Sequence, residues 1–337
     1  MKPLLSRFTL MLALFATLCG CRHRSSPTSN ASNSFKVALL TPGPVSDAGW
    51  NAAAFDGLQS IKTKLGADTA LVQTTAPSDF ADALRDFGSR GFNCVFAHGF
   101  EYTDAALQAG RDFPKTWFIV TSGSASSANV ASLTFKIEEA AYVEGYLSGL
   151  MTKTGVAGAI GGIELPAIRL TFAGFQRGFL AAHPNGRLLV IYTGSFEDVG
   201  AAKEAALAQI TQGADFLIHE ADAAGLGVFQ AATERRVYAF GASRDQNDVA
   251  PAAVIASAVT DIPGAFLKIA SQIKDGDFQS GRLEYGMKDQ MVKVVFNPAL
   301  QDRIRGGVID QIESVERDII AGKVALPDAS GLNANSK

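Results

Sequence analysis

The chain has 337 residues, of which 47% are hydrophobic and 19% are charged, and its formal net charge is -3. This length suffices for two lobes of ordinary size. So small a net charge gives no reason to expect nucleic acid as a partner.

The first segment has the layout of a secretory signal, with Lys2 and Arg7 ahead of the apolar run 8–18. That run is too short to span a bilayer permanently. It ends in Leu18-Cys19-Gly20-Cys21, which resembles a bacterial lipobox. We therefore predict a signal peptide at 1–20 and a lipidated Cys21 that anchors the chain to the outer side of a membrane. The alternative is an ordinary cleaved signal with two incidental cysteines.

A segment without apolar periodicity follows, at 21–34, and it is rich in Ser, Asn and Arg. This composition is typical of a flexible tether, so the folded part is expected to begin near Phe35. If Cys19 is removed and Cys21 is acylated, Cys94 is the only thiol left in the folded part. Stability must then come from the core, since no intramolecular disulfide can form. The last residues, 326–337, are predicted to be disordered.

From Phe35, short apolar runs alternate with longer amphipathic stretches, which is typical of parallel sheets covered by helices on both faces. The predicted strands of a first cycle are 37–40, 70–73, 94–98 and 116–121, and those of a second cycle are 156–160, 188–193, 216–219, 237–241 and 254–258. The predicted helices are 50–65, 78–90 with Ser78 as N-cap, 102–112, 137–152, 168–182, 200–212 and 225–233. A further helix and short strands after Thr260 are expected to cross back toward the first lobe.

Two successive cycles predict an α/β fold of two Rossmann-like lobes with parallel sheets and a cleft between them. The first lobe is expected to contain 35–145 plus about 260–300. The second is expected to contain 146–259 plus about 301–325. Ligands of parallel α/β sheets bind at the carboxyl ends of strands. The corresponding loops are 41–50, 98–102, 122–127, 220–225 and 242–247, and they provide Gly99, Phe100, Ser122 and Gly123 as candidate ligand-binding residues.

The loop at 41–50 places Trp50 beside Asn51 at the start of a predicted helix. An indole can stack on a planar ligand, and an amide offers both a donor and an acceptor to the edge of a nucleobase. Trp50, Asn51 and Asp47 are therefore candidate ligand-binding residues. In the alternative interpretation, Trp50 only staples the helix and Asp47 only caps it.

Enzymatic motifs are weak in this sequence. The glycine-rich run 155–162 matches neither the dinucleotide fingerprint nor a P-loop with its lysine. The four histidines lack the spacing of a zinc site, and Ser122–Ser127 lacks the nucleophile-elbow pattern. Glu138 and Glu139 open a helix, where acidic residues complement the dipole. We expect no catalytic residues, no metal and no cofactor; His98 and His219 are candidates to touch a ligand because they end strands at the predicted cleft.

Several segments, in order along the chain, resemble the basic membrane protein family of ABC-transporter substrate-binding lipoproteins, including its purine nucleoside receptors. They are 46–51 (SDAGWN), 138–152 (EEAAYVEGYLSGLMT), 161–162 (GG), 172–178 (FAGFQRG), 192–198 (YTGSFED) and 241–246 (GASRDQ). The resemblance implies a type I periplasmic-binding-protein fold with a purine in the interlobe cleft. It also implies that Trp50 stacks on the purine with Asn51 beside it, and it makes His219 a candidate for the opposite face.

The sequence departs from the family at three positions. Nucleoside-binding relatives hold the ribose with two aspartates and a lysine, and the matching positions here are Thr41, Ser243 and Thr260. Hydrogen bonds to charged groups contribute about 1.5–3 kcal/mol each, so their loss predicts a free purine base such as adenine in preference to a nucleoside.

The expected function is that of the substrate-binding lipoprotein of an ABC importer. It would act as a monomer that delivers a purine to permease and ATPase subunits. The alternative is a ligand-sensing lipoprotein that signals to a membrane receptor or regulator. A nucleoside hydrolase is a third hypothesis, disfavoured because the positions of the family's carboxylates are neutral here.

Overall fold

The computed structural model describes residues 34–47 and 49–328. The predicted signal segment, Cys21, residues 22–33 of the predicted tether and residues 329–337 of the predicted tail lie outside the described residues. Within the described ranges, none of the helices combines the length and the apolar character that crossing a bilayer requires.

Strands and helices alternate along the described chain. The strands are β1 Lys36–Thr41, β2 Asp68–Gln73, β3 Cys94–His98, β4 Trp117–Thr121, β5 Val130–Phe135, β6 Val156–Gly161, β7 Arg187–Tyr192, β8 Phe216–Glu220, β9 Tyr238–Ser243, β10 Val254–Thr260, β11 Arg282–Tyr285 and β12 Val292–Phe296. The helices are α1 Trp50–Leu65, α2 Pro77–Ser89, α3 Thr103–Asp112, α4 Ile137–Met151, α5 Pro166–Ala182, α6 Val199–Thr211, α7 Gly225–Arg235, α8 Ile262–Asp275 and α9 Val308–Ile320.

Two predictions about individual elements were wrong. β5 was not predicted, because Ser132 and Thr134 interrupt its apolar pattern, although the strand is largely buried between its neighbours. Ser78 does not cap α2: the helix begins at Pro77, whose missing N–H and fixed φ suit the first helical position. The carboxylate of Asp79 instead accepts a hydrogen bond from the N–H of Ala76.

The strands form two six-stranded sheets, in the orders β11-β5-β4-β3-β1-β2 and β12-β10-β9-β8-β6-β7. Pairing is parallel throughout except between β10 and β12. Strands near the centre of a parallel sheet are covered on both faces, and Val37–Leu40 of β1 and the whole of β3 are buried accordingly. The predicted α/β class is confirmed.

The chain passes between the two halves more than once. After β5 it enters α4, which packs along α5 of the second half, and after β10 it enters α8, which packs along α1 of the first. The segment 260–300 was expected to belong to the first lobe, but its strands belong to both sheets. β11 extends the first sheet, and β12 pairs with β10 of the second. The expected boundary near residue 145 falls inside α4.

Glycines allow α4 and α5 to approach closely. A Cβ at Gly145 would collide with the carbonyl oxygen of Phe175, and one at Gly178 would collide with that of Tyr142. Because glycine has no side chain, the two backbones lie against each other and fix how the first sheet connects to the second half.

Candidate functional site

A cavity of about 720 Å³ lies between the two halves of the fold. Loops that follow β1, β3 and β4 line it from the first half, and loops that follow β6, β7, β8 and β9 line it from the second. Both sheets thus present the carboxyl ends of parallel strands to it, the usual position of a ligand in such sheets. Its size falls in the range of about 300–1,000 Å³ that is typical of small-molecule sites.

Trp50 forms one wall of the cavity, and its indole rests on the imidazole of His98. The ring centroids are 4.3 Å apart at an interplanar angle of 24°. His98 is fully buried, and this burial lowers its pKa to about 3, so the ring is neutral. Its Nε2 lies 3.2 Å from the carbonyl oxygen of Trp50 and its Nδ1 lies 3.1 Å from Oγ1 of Thr121. One face of the indole is therefore covered, and the other is left for the cavity.

The carboxylate of Asp47 organises the turn before α1. It accepts hydrogen bonds from the backbone N–H groups of Gly49, Asn51 and Ala52, at 3.0, 2.8 and 2.9 Å. It also accepts one from Nδ2 of Asn51 at 2.8 Å. Negative charge at a helix N-terminus is stabilised by the helix dipole. Asp47 thus holds both Trp50 and Asn51 in place at the cavity wall.

Asn51 presents an unpaired acceptor at the same wall. A carboxylate only accepts hydrogen bonds, so the amide NH2 must face Asp47 and the Oδ1 must point the other way. That Oδ1 is buried without a hydrogen-bond partner among the described residues. A buried acceptor left unsatisfied costs about 1–3 kcal/mol, and an N–H group of a ligand in the cavity would satisfy it.

Carboxyl groups at the end of β8 face the same cavity. Burial raises the pKa of Glu220 to about 8, and the charge of Asp222 adds to the shift. Burial also raises the pKa of Asp222 to about 7, with a further contribution from Asp47. Behind them on α4, burial and the charge of Glu220 hold the pKa of Glu144 well above its usual range. The described lining residues include no Lys, Arg or His, so nothing in that wall offers a counter-charge to an anion.

Three lining residues have a left-handed backbone, which is unfavourable for residues other than glycine. They are Ser122, Asp222 and Ser243, at φ 57°, 46° and 65°, and they follow or end β4, β8 and β9. Such conformations cost about 1–3 kcal/mol each and cluster at functional sites. Three of the five non-glycine residues with positive φ in the described chain line this one cavity.

The structure brings most of the predicted ligand-binding residues together. The seven that line the cavity are Asp47, Trp50, Asn51, Gly99, Phe100, Ser122 and Ser243. Gly123 is not among the lining residues, although Ser122 and Ser124 on either side of it are. Thr41 and Thr260 are buried and are not among the lining residues, and the hydroxyl of Thr41 donates to the carbonyl of Gly43 at 2.9 Å.

His219 is also absent from the wall, because side chains alternate between the two faces of a strand. It is buried against Gly225 and contacts the ring of Phe229 edge to face, with centroids 5.0 Å apart. Its pKa is lowered to about 4 by burial. Phe196, in the loop after β7, is the aromatic residue that the second half contributes to the cavity. The segment 192–198, which resembles the family, contains it, but the polar residues beside it form no periodic pattern that would show its direction.

Glu220 and Asp222 were missed by the sequence analysis. The loop at 220–225 was predicted to border the cleft by its place after a strand, but neither residue was named as a candidate for binding the ligand. The family's ribose-binding positions are neutral here, so they gave no sign of the carboxyls that a different loop supplies. In the described chain, no cluster of His, Cys, Asp and Glu has the arrangement of a metal site.

Comparisons with known proteins agree with this geometry. A family profile described as "ABC transporter substrate-binding protein PnrA-like" matches residues 34–330. The ABC transporter nucleoside-binding protein BmpA of Lactococcus lactis subsp. cremoris is 28% identical over 352 residues, covering 97% of this chain and 99% of that protein. A purine-binding protein of Brucella abortus is 25% identical over 308 residues, covering 90% and 87%.

Among solved structures, an ABC transporter solute-binding protein from Conexibacter woesei aligns with a TM-score of 0.72 at 26% identity. The alignment covers 88% of this chain and 99% of that one. The predicted type I periplasmic-binding-protein architecture is confirmed.

The raised carboxyl pKa values predict that the ligand-free protein loses stability as the pH rises. In the folded state the pKa is about 7 for Asp222 and about 8 for Glu220, above the ordinary range of carboxyl groups. At pH values between that ordinary range and these folded-state pKa values, the folded state binds more protons than the unfolded state. Stability is therefore greatest below that window and is lost through it. Denaturant titrations between pH 5 and 9 are the measurement, and Glu220→Gln should flatten the slope. The exposed Glu204→Gln should keep it, and an unchanged slope in Glu220→Gln would contradict the assignment.

Proposed function

Because the chain belongs to the family of PnrA-like ABC transporter substrate-binding proteins, we propose that it captures a purine, as a free base in preference to a nucleoside. The family's role is to bind a substrate for transport, so the chain is not an enzyme. That role implies permease and ATPase subunits as partners, and it favours transport over signalling to a receptor. The observation that best supports a purine as the ligand is the geometry of Trp50 and Asn51 at the cavity wall.

A flat heterocycle fits the two groups at the start of α1. It would stack on the free face of Trp50, whose other face is covered by His98. An N–H at its edge would donate to Oδ1 of Asn51, which has no other described partner. From the second half, Phe196, Ile163 and Ile168 supply an apolar surface for the opposite face. The printed names of the relatives from Lactococcus and Brucella, nucleoside-binding and purine-binding, support the same class.

Two features support a free base. The described wall offers acceptors and no basic side chain, and a free purine brings a ring N–H that glycosylation removes. Of the three neutral residues at the family's ribose-binding positions, only Ser243 lines the cavity. A nucleoside is the second candidate, because Glu220 and Asp222 are able to accept hydrogen bonds from ribose hydroxyls.

Replacing Trp50 should weaken binding without unfolding the protein. Base stacking on an aromatic side chain is worth about 1–3 kcal/mol, so Trp50→Ala should raise the Kd for adenine about 5- to 150-fold. Trp117→Ala is the matched control, since Trp117 packs edge to face on Phe278 away from the cavity. Calorimetric titration and thermal melts should show lost affinity for the first variant and lost stability for the second. A large drop in ligand-free Tm for Trp50→Ala with unchanged affinity would mean that Trp50 only staples the helix.

A free purine base should bind more tightly than the matching nucleoside. A ribose in the cleft would lose hydration, and at the family's positions it would find no charged partners. Titration with adenine, guanine and hypoxanthine and with their nucleosides measures the difference. Adenosine or inosine binding tenfold more tightly than every base would contradict the preference and would favour Glu220 and Asp222 as ribose acceptors.

We also propose that the chain works as a monomer tethered to the membrane by a lipid on Cys21. The support is the cysteine at the end of the apolar signal run, ahead of a polar tether. Cys21→Ser should leave an unprocessed and poorly anchored protein, whereas Cys19→Ser should be processed as the wild type. Membrane fractionation and mass spectrometry of the N-terminus test this, and full membrane retention of Cys21→Ser would refute the anchor.

A further inference from the structure

The carboxyl groups of Glu220 and Asp222, at the end of β8, are not part of the proposed stacking surface at Trp50. Glu220 is the last residue of β8, and Asp222 follows in the left-handed conformation. Both line the cavity, and among the described residues neither carboxyl has a hydrogen-bond or ion-pair partner. They lie close enough for the charge of Asp222 to add to the raised pKa of Glu220.

Two further polar groups of the wall are hydrogen-bond acceptors, beside the hydroxyls of serine residues such as Ser122 and Ser243. Asp47 faces Asp222 across the cleft, near enough that its charge raises the pKa of Asp222. Independently, Asn51 lines the same cavity and is only 4% exposed, and its Oδ1 is buried without a described hydrogen-bond partner. An unpaired buried amide oxygen calls for a donor on the ligand. The two halves of the fold therefore both present acceptors to whatever lies between them.

We propose that Glu220 and Asp222 together bind the exocyclic amino group of an aminopurine, so that the protein selects adenine over purines that carry an oxo group there. This inference rests on the proposed function. It adds the chemical feature of the purine that is selected, and it names the two residues that select it.

The chemistry of the two substituents decides the selection. One amino group has two N–H donors and is able to give one to each carboxyl. An oxo group has only lone pairs, so it would accept from both carboxyls only if both were protonated. An ionised Asp222 facing an oxo group would be repelled and would remain unpaired. Burial raises the pKa of both groups when no ligand is present, and two N–H groups donated by a ligand would act against this shift by stabilising the ionised forms.

The test compares adenine with hypoxanthine, which carries an oxo group in place of the amino group. Calorimetric titration of the purified full-length protein at neutral pH should give a Kd for adenine at least about tenfold below that for hypoxanthine, the effect of one hydrogen bond to a charged group. Glu220→Leu should bring the ratio of the two Kd values close to one. Glu204→Leu, the same change at an exposed site on α6, should leave the ratio at its wild-type value.

A second variant keeps the inference testable if the Glu220→Leu protein does not fold. Asp222→Asn suits a left-handed backbone, and it should reduce the ratio several-fold even if Glu220→Leu does not fold. Equal affinities in the wild type, or a ratio that is unchanged in both variants, would overturn the inference and leave purine binding standing. Absence of binding by any purine would overturn the proposed function, and this inference with it.

Discussion

The carboxylate of Asp47 is the group on which the geometry of the site depends. It accepts four hydrogen bonds, three from backbone N–H groups at the start of α1 and one from the amide of Asn51. The same contacts that begin the helix therefore orient the amide and place Trp50 on His98. Asp47 thus acts as a structural cap, and its hydrogen bonds fix the positions of Trp50 and Asn51 in the cavity wall.

The position of Asp47 also determines which charged groups lie near each other in the cleft. Asp47 lies on one half and Asp222 on the other, so closing the cleft without a ligand brings like charges together in a poorly solvated space. A ligand with N–H donors that binds the closed form better than the open one shifts the equilibrium toward closure by that difference in affinity. If the proposed ligand donates hydrogen bonds to acceptors on both halves, it would help to hold the halves together.

An exposed ion pair also joins the two halves. Arg244, just after β9, pairs with Asp56 on α1 at 2.8 Å, with both side chains about half exposed. Exposed ion pairs contribute about 0–1 kcal/mol, so this pair adds little to the stability of the arrangement. The close packing of α4 on α5 and of α8 on α1 instead fixes where the chain crosses between the halves. The cleft between the strand ends is therefore the place where a ligand would have most influence on the arrangement of the halves.

The sequence by itself determined the α/β class, the positions of most elements and the loops that carry the site. Those features depend on local periodicity and on chain order: α1 and β3 have the predicted bounds, and the resemblance to the family follows from motifs in order along the chain. It also predicted that Trp50, Asn51 and Asp47 lie together at the cavity, because all three belong to one short segment whose hydrogen bonds are local.

Only the tertiary structure decided which side chains meet in the cavity. Glu220 faces the cavity and His219 faces away because a strand alternates its side chains, and a strand's direction is fixed by its neighbours in the sheet. Thr41 and Thr260 match binding positions along the chain, but packing turns them inward. The raised pKa of Asp222 depends on burial and on the charge of Asp47, which is more than 170 residues earlier in the chain. Such distances in space are set by the packing of the whole chain, which no local pattern of residues encodes.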